Sequence, residues 1–520
     1  MTNVPVCMCL AVVTVLGLLS HPVQASVQLR HLSSIYLPAA ENKKPEMGAG
    51  AVEQIAYDPQ TKLIYAVGTN VYHVLSARDA GNLQVEHTEY ADGVDFTDVD
   101  VCGDHVFMTV QEPSNPKGNS LRIYKSYAKS VQDPLDLVDS YNTGSLPDML
   151  TILEDCRTVI VADEGEAYTD LSGKIVDPEG QVVILRFPDG VESTNSKAIV
   201  TFTKFNAFND RVHQLKQTGL RFVYPGNGNQ LSNDLEPEYI AVDEVENKAY
   251  VVLQENNAVA EVDLTTQNIT NIWGLGYKQW GGLDASDKDD GIRITYWPIR
   301  AWYQPDSTKL HRWRGRKLLF TANEGADKAY TWFEEAIRGD DISNKDLGPG
   351  IHPILKSAIR DDEQLGRLEF SRYDGRDDSG KYSDLYTFGG RSFSIWDLTS
   401  AGESHTPSTL PLVFDSGSQL EELTAAHCPH LFNRKTDQDD RSDKKGPEPE
   451  SLALAELNGR LYIFVGIERP GIIVVYSLGD DVSKPRFETM YCDGIPDSSK
   501  SMKEMFKDRE IYAVDPEDIR

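Results

Sequence analysis

An internal repeat constrains the fold of this chain more than any other feature of its 520 residues. Each copy has a proline–acid pair, a short apolar strand, a polar turn and a second, β-branched strand that ends in an acidic residue. The clearest copy runs from Glu236 to Glu255, and a third strand follows it from Ala258 to Leu264. Repeats of roughly 40 residues or more, built from three or four short strands, are typical of β-propeller blades. Further copies begin at Leu146, Gln304 and Glu448.

The number of copies sets the size of the predicted propeller. We count six copies and the beginning of a seventh at residues 515–517, where the sequence stops. The sequence therefore predicts an all-β fold, a seven-bladed β-propeller whose last blade is incomplete in this chain. This domain would occupy residues 26–520, with acidic insertions at 284–291, 325–385 and 436–445. We expect short helices near residues 330–337 and 354–359, and a mobile loop at residues 436–445.

The N-terminus resembles a secretory signal peptide. Residues 4–19 are uncharged and mostly apolar, and Val23-Gln24-Ala25 places small residues where a signal peptidase would cut. We therefore expect a signal peptide at residues 1–25 and a secreted mature chain that begins at Ser26. A retained signal anchor is the alternative, but the apolar run is shorter than the ~20 residues that a membrane span needs. No later stretch is long and apolar enough, so we predict no membrane span.

The cysteines fit an oxidising compartment. Four of them would remain in the mature chain, and disulfides are the usual state of an even number of cysteines in a secreted protein. Three pairings are possible. We favour Cys102 with Cys156 and Cys428 with Cys492, the first because both residues lie in turns of successive repeats. Asn268-Ile-Thr270 is the single glycosylation sequon, which makes Asn268 the expected site of N-glycosylation.

Acidic residues greatly outnumber basic ones. The chain has 81 Asp and Glu against 51 Lys and Arg, a net charge of −30, which argues against a nucleic-acid-binding protein. In a propeller blade the first strand begins, and the second strand ends, on the same face, so acidic residues at these two positions gather there. The residues at the starts of first strands are Asp148, Glu238, Asp306 and Glu450. The residues at the ends of second strands are Glu164, Glu255, Glu324 and Glu468.

These carboxylates form the first candidate metal site. A ring of carboxylates around a central channel repels itself unless cations enter, and Ca²⁺, which takes six to eight oxygen ligands in flexible geometry, suits such a ring best. The alternative is that the proline–acid pairs are turn residues and that the glutamates cap backbone amides.

The insertion at residues 284–291 is the second candidate calcium site. It offers the closely spaced carboxylates Asp284, Asp287 and Asp289, although it lacks the spacing of an EF-hand loop. A solvated acidic loop is the alternative here. The mature chain contains no nucleophile elbow, zinc-protease motif or phosphate-binding loop.

Several long segments of the chain resemble the mesenchyme-specific cell-surface glycoprotein family, whose members carry the choice-of-anchor I domain. Four of these segments are Leu235-Glu-Pro-Glu-Tyr-Ile-Ala-Val242, Gly282-Leu-Asp-Ala-Ser-Asp-Lys-Asp289, Phe388-Gly-Gly-Arg-Ser-Phe-Ser394 and Lys445-Gly-Pro-Glu-Pro-Glu450. The resemblance implies a β-propeller. It also implies a secreted or surface glycoprotein of the organic matrix in which calcium carbonate is laid down.

Two functions fit these observations. The first is a non-enzymatic, calcium-binding matrix glycoprotein that acts in biomineralisation, with calcium carbonate mineral or matrix proteins as its partners. The second is a metal-dependent phosphatase or phytase-like propeller, in which bound Ca²⁺ would hold phosphate and activate a water. We favour the first, because no converging set of Lys and Arg accompanies the carboxylates in the sequence. A protein-interaction scaffold remains a third interpretation, since propellers serve many functions.

Overall fold

The computed structural model describes residues 27–520, except 116–117, 128–134, 171, 192–196, 225, 402–407, 513–515, 517 and 520. The predicted signal peptide and the acidic residues 515 and 517 therefore lie outside the described residues. None of the helices in the described part of the chain has the length and apolar character needed to cross a membrane.

The fold is an all-β propeller, as the repeats predict. In the described residues, six successive antiparallel blades follow one another along the chain. The first two blades form one continuous sheet, of Gln54–Asp58, Leu63–Ser76, Gln84–Cys102, His105–Gln111, Ser120–Lys125 and Leu137–Asn142. Blades three and four comprise Pro147–Ile152, Thr158–Asp163, Gln181–Arg186 and Ile199–Lys204, then Ile240–Asp243, Lys248–Leu253, Ala258–Asp263 and Asn268–Gly274. Blades five and six comprise Thr308–Trp313, Arg316–Asn323, Ser392–Asp397 and Leu412–Asp415, then Pro449–Leu457, Arg460–Ile467, Ile472–Leu478 and Arg486–Tyr491.

The continuous first sheet consists of two blades that share one long strand. Leu63–Ser76 turns back on itself at Asn70, which has a φ of 60°, and Ala77 N donates a hydrogen bond to Lys62 O where the two halves end. The long strand Gln84–Cys102 pairs first with Leu63–Ser76 and then with His105–Gln111. It is therefore the outer strand of the first blade and the inner strand of the second.

Apolar residues on facing sheets hold the blades together. Phe107 and Ile123 of the second blade share one buried cluster with Val159 and Leu185 of the third. Similar clusters join the third blade to the fourth and the fifth to the sixth. Each fully buried Val, Leu or Ile contributes ~1.5–3 kcal/mol, so the regular alternation of apolar residues in the repeats stabilises the stack of blades.

Shorter elements lie between and beside the blades. The short strands are Tyr168–Thr169, Ile175–Val176, Lys278–Gln279, Arg300–Ala301, Ala329–Tyr330, Phe333–Glu334, Ala336–Arg338, Glu369–Ser371 and Tyr386–Thr387. The α-helices are Val212–Lys216, Leu231–Asp234, Leu355–Ala358, Gln419–His427 and Met502–Lys507. The 3₁₀ helices are Asn206–Arg211, Gly226–Gly228, Gly339–Asp341, Asn344–Asp346 and Pro429–Leu431.

The acidic insertions are packed rather than solvated. Trp280, Leu283 and Trp297 share a buried cluster with Leu355 and Tyr382, so the insertions at 284–291 and 325–385 are built around one apolar core. The stretch 436–445, expected as a mobile loop, is also packed. Its side chains Asp439, Ser442 and Asp443 are buried.

One of the two helices predicted from the sequence is absent. The helix expected near residues 330–337 is wrong, because this segment forms short strands, the last of which, Ala336–Arg338, pairs with Glu369–Ser371. The helix expected near 354–359 is present as Leu355–Ala358.

The last blade is incomplete, as the sequence predicts. The described residues form no seventh four-stranded blade. Instead, Ser34 and Tyr36 donate hydrogen bonds to the backbone of residues 511–512, and Ser451 Oγ donates to Pro516 O.

Two disulfides cross-link the molecule, in the pairings favoured from the sequence. Cys102 is joined to Cys156, which connects the second blade to the third, and Cys428 is joined to Cys492. The second disulfide links the end of helix Gln419–His427 to the chain just after the last strand of blade six.

Candidate functional site

The propeller brings five of the predicted carboxylates close enough to repel one another. Burial and the neighbouring Glu255 and Glu164 raise the pKa of Glu238 well above its ordinary value. Burial and the neighbouring Glu324 and Asp148 do the same to the pKa of Asp306. We call this group the channel carboxylates, and its members are Asp148, Glu164, Glu238, Glu255 and Asp306.

Cations lie near some of the channel carboxylates, Lys328 near Glu255 and Lys445 near Asp306, but they do not pair with them directly. Among the described residues, none of the five forms an ion pair within 4.0 Å of a Lys, Arg or His. The Oε2 atoms of Glu238 and Glu255 are buried and accept no hydrogen bond. Burial, with Glu236 nearby, raises the pKa of Glu255 to about 8, and burial beside Glu53 raises that of Asp148 to about 6. Such a site favours protons or cations over free carboxylates.

The predicted residues Glu324 and Glu468 belong to a different group. Their carboxylates and that of Glu448 have oxygens within 4.8 Å of one another. However, Lys445 Nζ lies 2.6 Å from Glu324 Oε1, and Arg441 Nη2 lies 2.6 Å from Glu448 Oε1. Burial alone would raise the pKa of Glu448, but these cations and Arg469 lower it to about 2.

Charge balance therefore distinguishes this group from the channel carboxylates. The three carboxylates face the three cations Lys445, Arg441 and Arg469, so the group is an ion-pair network in which each carboxylate has a basic partner. Glu450, also predicted as a ligand, forms a hydrogen bond with Glu468. The expectation that no basic residues would accompany the carboxylates is wrong here, because loop 441–445 contributes two of them.

A second acidic cluster forms where the insertion at 284–291 meets the loop at 436–445. Asp284, Asp289 and Asp439 have carboxylate oxygens within 4.8 Å of one another, and their residues are 0%, 3% and 8% exposed. Burial, with Glu421 and Asp289 nearby, raises the pKa of Asp284 to about 7, and burial beside Asp284 raises that of Asp439 to about 8. We call these three residues the Asp284 cluster.

The third aspartate predicted in this loop lies elsewhere. Asp287 Oδ1 accepts a hydrogen bond from Arg367 Nε at 2.5 Å, and its Oδ2 lies 2.5 Å from Lys288 Nζ. These cations lower the pKa of Asp287 despite its partial burial. Asp439, and not the predicted Asp287, is the third aspartate of the cluster. The only sequence signal for Asp439 is the charged stretch 436–445, which does not show which of its acidic residues is buried.

Asn268 lies where a glycan could be attached. It is the first residue of the outer strand of blade four, and Asn268 and Thr270 are both exposed. N-glycosylation of Asn268 therefore remains a prediction that the fold allows.

Comparisons with known proteins agree with the resemblance seen in the sequence. Residues 53–481 match the sequence model of the choice-of-anchor I domain. The mesenchyme-specific cell surface glycoprotein of Strongylocentrotus purpuratus is 32% identical over 352 residues, which are 61% of this chain and 44% of that protein. Gigasin-3a of Magallana gigas is 38% identical over 171 residues, which are 31% of this chain and 57% of that protein. The chain thus spans about half the length of these curated relatives.

Solved structures that resemble this fold include the periplasmic gluconolactonase PpgL of Pseudomonas aeruginosa. It is 10% identical, with a TM-score of 0.43, over 89% of this chain and 95% of that chain.

A cell-surface glycoprotein among the relatives, together with two disulfides, is consistent with an extracellular protein. Because the domain match covers most of its length, the chain belongs to the choice-of-anchor I domain family.

Proposed function

We propose that this protein is a secreted, acidic, calcium-binding glycoprotein of the extracellular matrix that acts in biomineralisation. The observation that carries the proposal is the set of channel carboxylates, which face one another without ion-pair partners among the described residues. Oxygen-rich sites with excess negative charge bind Ca²⁺ well, and extracellular modules need affinities of only about 10⁻⁴ to 10⁻³ M. Calcium carbonate mineral or matrix proteins are the proposed partners.

Calorimetric titration with Ca²⁺ tests this proposal. We expect saturable binding in the micromolar to millimolar range, weakened at least ~10-fold by the double change Glu238→Gln and Glu255→Gln, because each change removes one charged ligand. Glu334→Gln is the matched control, since Glu334 is exposed and lies outside the channel carboxylates. Wild-type heats in the double variant would show that the channel does not bind calcium.

The metal-free protein should respond to pH through Glu255. The pKa of Glu255 is raised from 4.5 to about 8 on folding. Between pH 5 and 8 the folded protein holds a proton that the unfolded chain has released, so the free energy of unfolding falls as pH rises. In EDTA, we therefore expect Glu255→Gln to change the free energy of unfolding more favourably at pH 8.5 than at pH 5.5, by ~1 kcal/mol or more. Urea unfolding at the two pH values measures this difference, and equal effects at both would contradict it.

We further propose that the protein binds calcium without catalysing a reaction. The basic residues that a phosphatase would use to hold phosphate, Lys445, Arg441 and Arg469, are engaged in ion pairs. Phosphate release from p-nitrophenyl phosphate in millimolar Ca²⁺ should stay at the uncatalysed rate. Calcium-dependent turnover that disappears in Glu238→Gln would instead support the phosphatase alternative.

A further inference from the structure

We propose that the Asp284 cluster is a separate binding site for a divalent cation, Ca²⁺ by its ligand chemistry, which clamps the insertion at 284–291 to the loop at 436–445. The proposal shares its ion with the proposed function but none of its residues, so either can fail alone.

The spacing of the ligands fits this ion. Calcium–oxygen distances are about 2.3–2.6 Å, so two oxygens on opposite sides of one ion lie up to about 5 Å apart. One carboxylate oxygen from each of Asp284, Asp289 and Asp439 lies within 4.8 Å of the other two. Asp284 and Asp289 come from one insertion and Asp439 from a loop about 150 positions later, so an ion here would join two distant parts of the chain.

Unsatisfied oxygen atoms supply an independent sign of a missing ligand. Among the described residues, Asp289 Oδ1 has no hydrogen-bond partner, although it is buried in a residue that is only 3% exposed. Asn433 Oδ1 is likewise buried without a hydrogen-bond partner among the described residues, and Asn433 is 1% exposed. Asn433 belongs to this site because its Nδ2 donates to Ser442 Oγ at 2.8 Å, and that hydroxyl donates to Asp439. Buried oxygens without a partner are rare in native proteins, and a cation bound by the cluster would satisfy Asp289 Oδ1.

The charge around the cluster is not balanced by the protein. Arg293 Nε approaches Asp289 Oδ2 only to 3.8 Å, and the Arg293 side chain is 56% exposed. The buried cation Arg391 donates instead to Glu421 Oε1 at 2.7 Å and to the backbone oxygen of Asp284 at 2.8 Å. The carboxylates of Glu324, Glu448 and Glu468 are equally close to one another, but they pair with Lys445, Arg441 and Arg469. We therefore assign the ion to the Asp284 cluster.

An access route leads to the site. A cavity of about 360 Å³ opens beside it and is lined by Asp289, Glu363, Arg293 and Trp297. An ion could enter past the carboxylates of Asp289 and Glu363. The indole of Trp297 on the same wall also provides a spectroscopic donor for terbium, which occupies calcium sites.

The test is terbium luminescence excited through tryptophan, with Ca²⁺ as the competitor, on the full chain. We expect Asp289→Asn and Asp439→Asn each to weaken calcium competition at least tenfold. Asp287→Asn is the matched control, because Asp287 lies in the same loop but is held by Arg367 and Lys288. The double variant Glu238→Gln and Glu255→Gln should keep this signal, which separates the site from the channel carboxylates.

Folding of the variants can be checked without the ion. Replacing Asp289 or Asp439 removes a buried, unbalanced charge, so the melting temperature in EDTA should equal or exceed that of the wild type. The increase in melting temperature on adding Ca²⁺ should shrink in both variants and persist in Asp287→Asn. Wild-type calcium competition in both Asp289→Asn and Asp439→Asn would overturn the proposal. The proposal would also be overturned if the terbium signal were lost in the double variant Glu238→Gln and Glu255→Gln but kept in Asp289→Asn and Asp439→Asn.

Discussion

Arg391→Met should lower the free energy of unfolding by about 3–5 kcal/mol, one of the two largest effects that we expect from a change in this protein. Arg391 is 2% exposed and pairs with Glu421, which is 1% exposed. Its guanidinium also donates to three backbone oxygens, those of Asp284, Ser442 and Lys444, at 2.7–2.8 Å. Methionine would leave the buried carboxylate of Glu421 without its cation and three carbonyls without a donor.

Chemical unfolding measures this loss, and two further variants separate its causes. Arg314→Met is the matched control, because the Arg314 side chain is 46% exposed and its ion-pair partner is the exposed Asp480. Its further contacts, with the backbone oxygen of the exposed Gly459 and with the Trp313 ring, are made by this exposed side chain, so the change should alter the free energy of unfolding by less than ~1 kcal/mol. Adding Glu421→Gln to Arg391→Met should restore part of the loss, since it removes the stranded charge. A cost of less than ~1 kcal/mol for Arg391→Met would contradict the central role given to this side chain.

The position of Arg391 explains why two acidic segments fold together. A Cβ at Gly446, which has a φ of 65°, would lie 2.7 Å from Arg391 Nη1, so the chain passes the guanidinium where only glycine fits. The same guanidinium holds the backbone of the insertion at Asp284 and that of the loop at residues 442–444. Asp284 and Asp439 are thereby brought together by one buried cation that satisfies backbone oxygens and does not pair with their carboxylates.

The strands of the propeller could be predicted from the sequence because each blade repeats the same local pattern. The strands Ile240–Asp243 and Lys248–Leu253 lie within the clearest copy of the repeat, and most of their β-branched residues, Ile240, Val251 and Val252, are buried. The strands at 329–338 were missed because distant contacts decide them. Ala336–Arg338 pairs with Glu369–Ser371, and Glu335 is held by the buried Arg221, more than one hundred positions earlier.

The candidate site was predictable in part for a similar reason. The channel carboxylates occupy equivalent positions in successive repeats, so knowledge of one blade locates the others. The division between free and paired carboxylates was not predictable, because Lys445 and Arg441 reach Glu324 and Glu448 from a loop outside the repeat pattern. Asp439 was missed because its burial depends on the packing of two insertions that share no local motif.

Removing the Cys428–Cys492 disulfide is the second change with a large expected effect. The two residues are separated by 64 positions, and a cross-link over a loop of this length stabilises a protein by about 4 kcal/mol through the entropy of the unfolded chain. Cys428 is 1% exposed and ends helix Gln419–His427, so the disulfide also holds the segment that leads to Asn433. The double change of both cysteines to alanine should lower the midpoint of urea unfolding by the corresponding amount.

The reductant dependence of unfolding isolates the contribution of this disulfide. Dithiothreitol should destabilise the wild type by the sum of two disulfides, and the Cys428→Ala and Cys492→Ala variant only by the contribution of Cys102–Cys156, whose separation of 54 positions gives it a similar value. Calcium competition at the Asp284 cluster should also weaken in the variant, because the loop that carries Asn433 and Asp439 loses a covalent anchor. Calcium binding at the channel carboxylates should not change, since the Cys102–Cys156 disulfide is still present. Unchanged unfolding in the variant would show that the cross-link does not restrict the unfolded chain. If calcium binding weakened only at the channel carboxylates, the disulfide would support that site and not the Asp284 cluster.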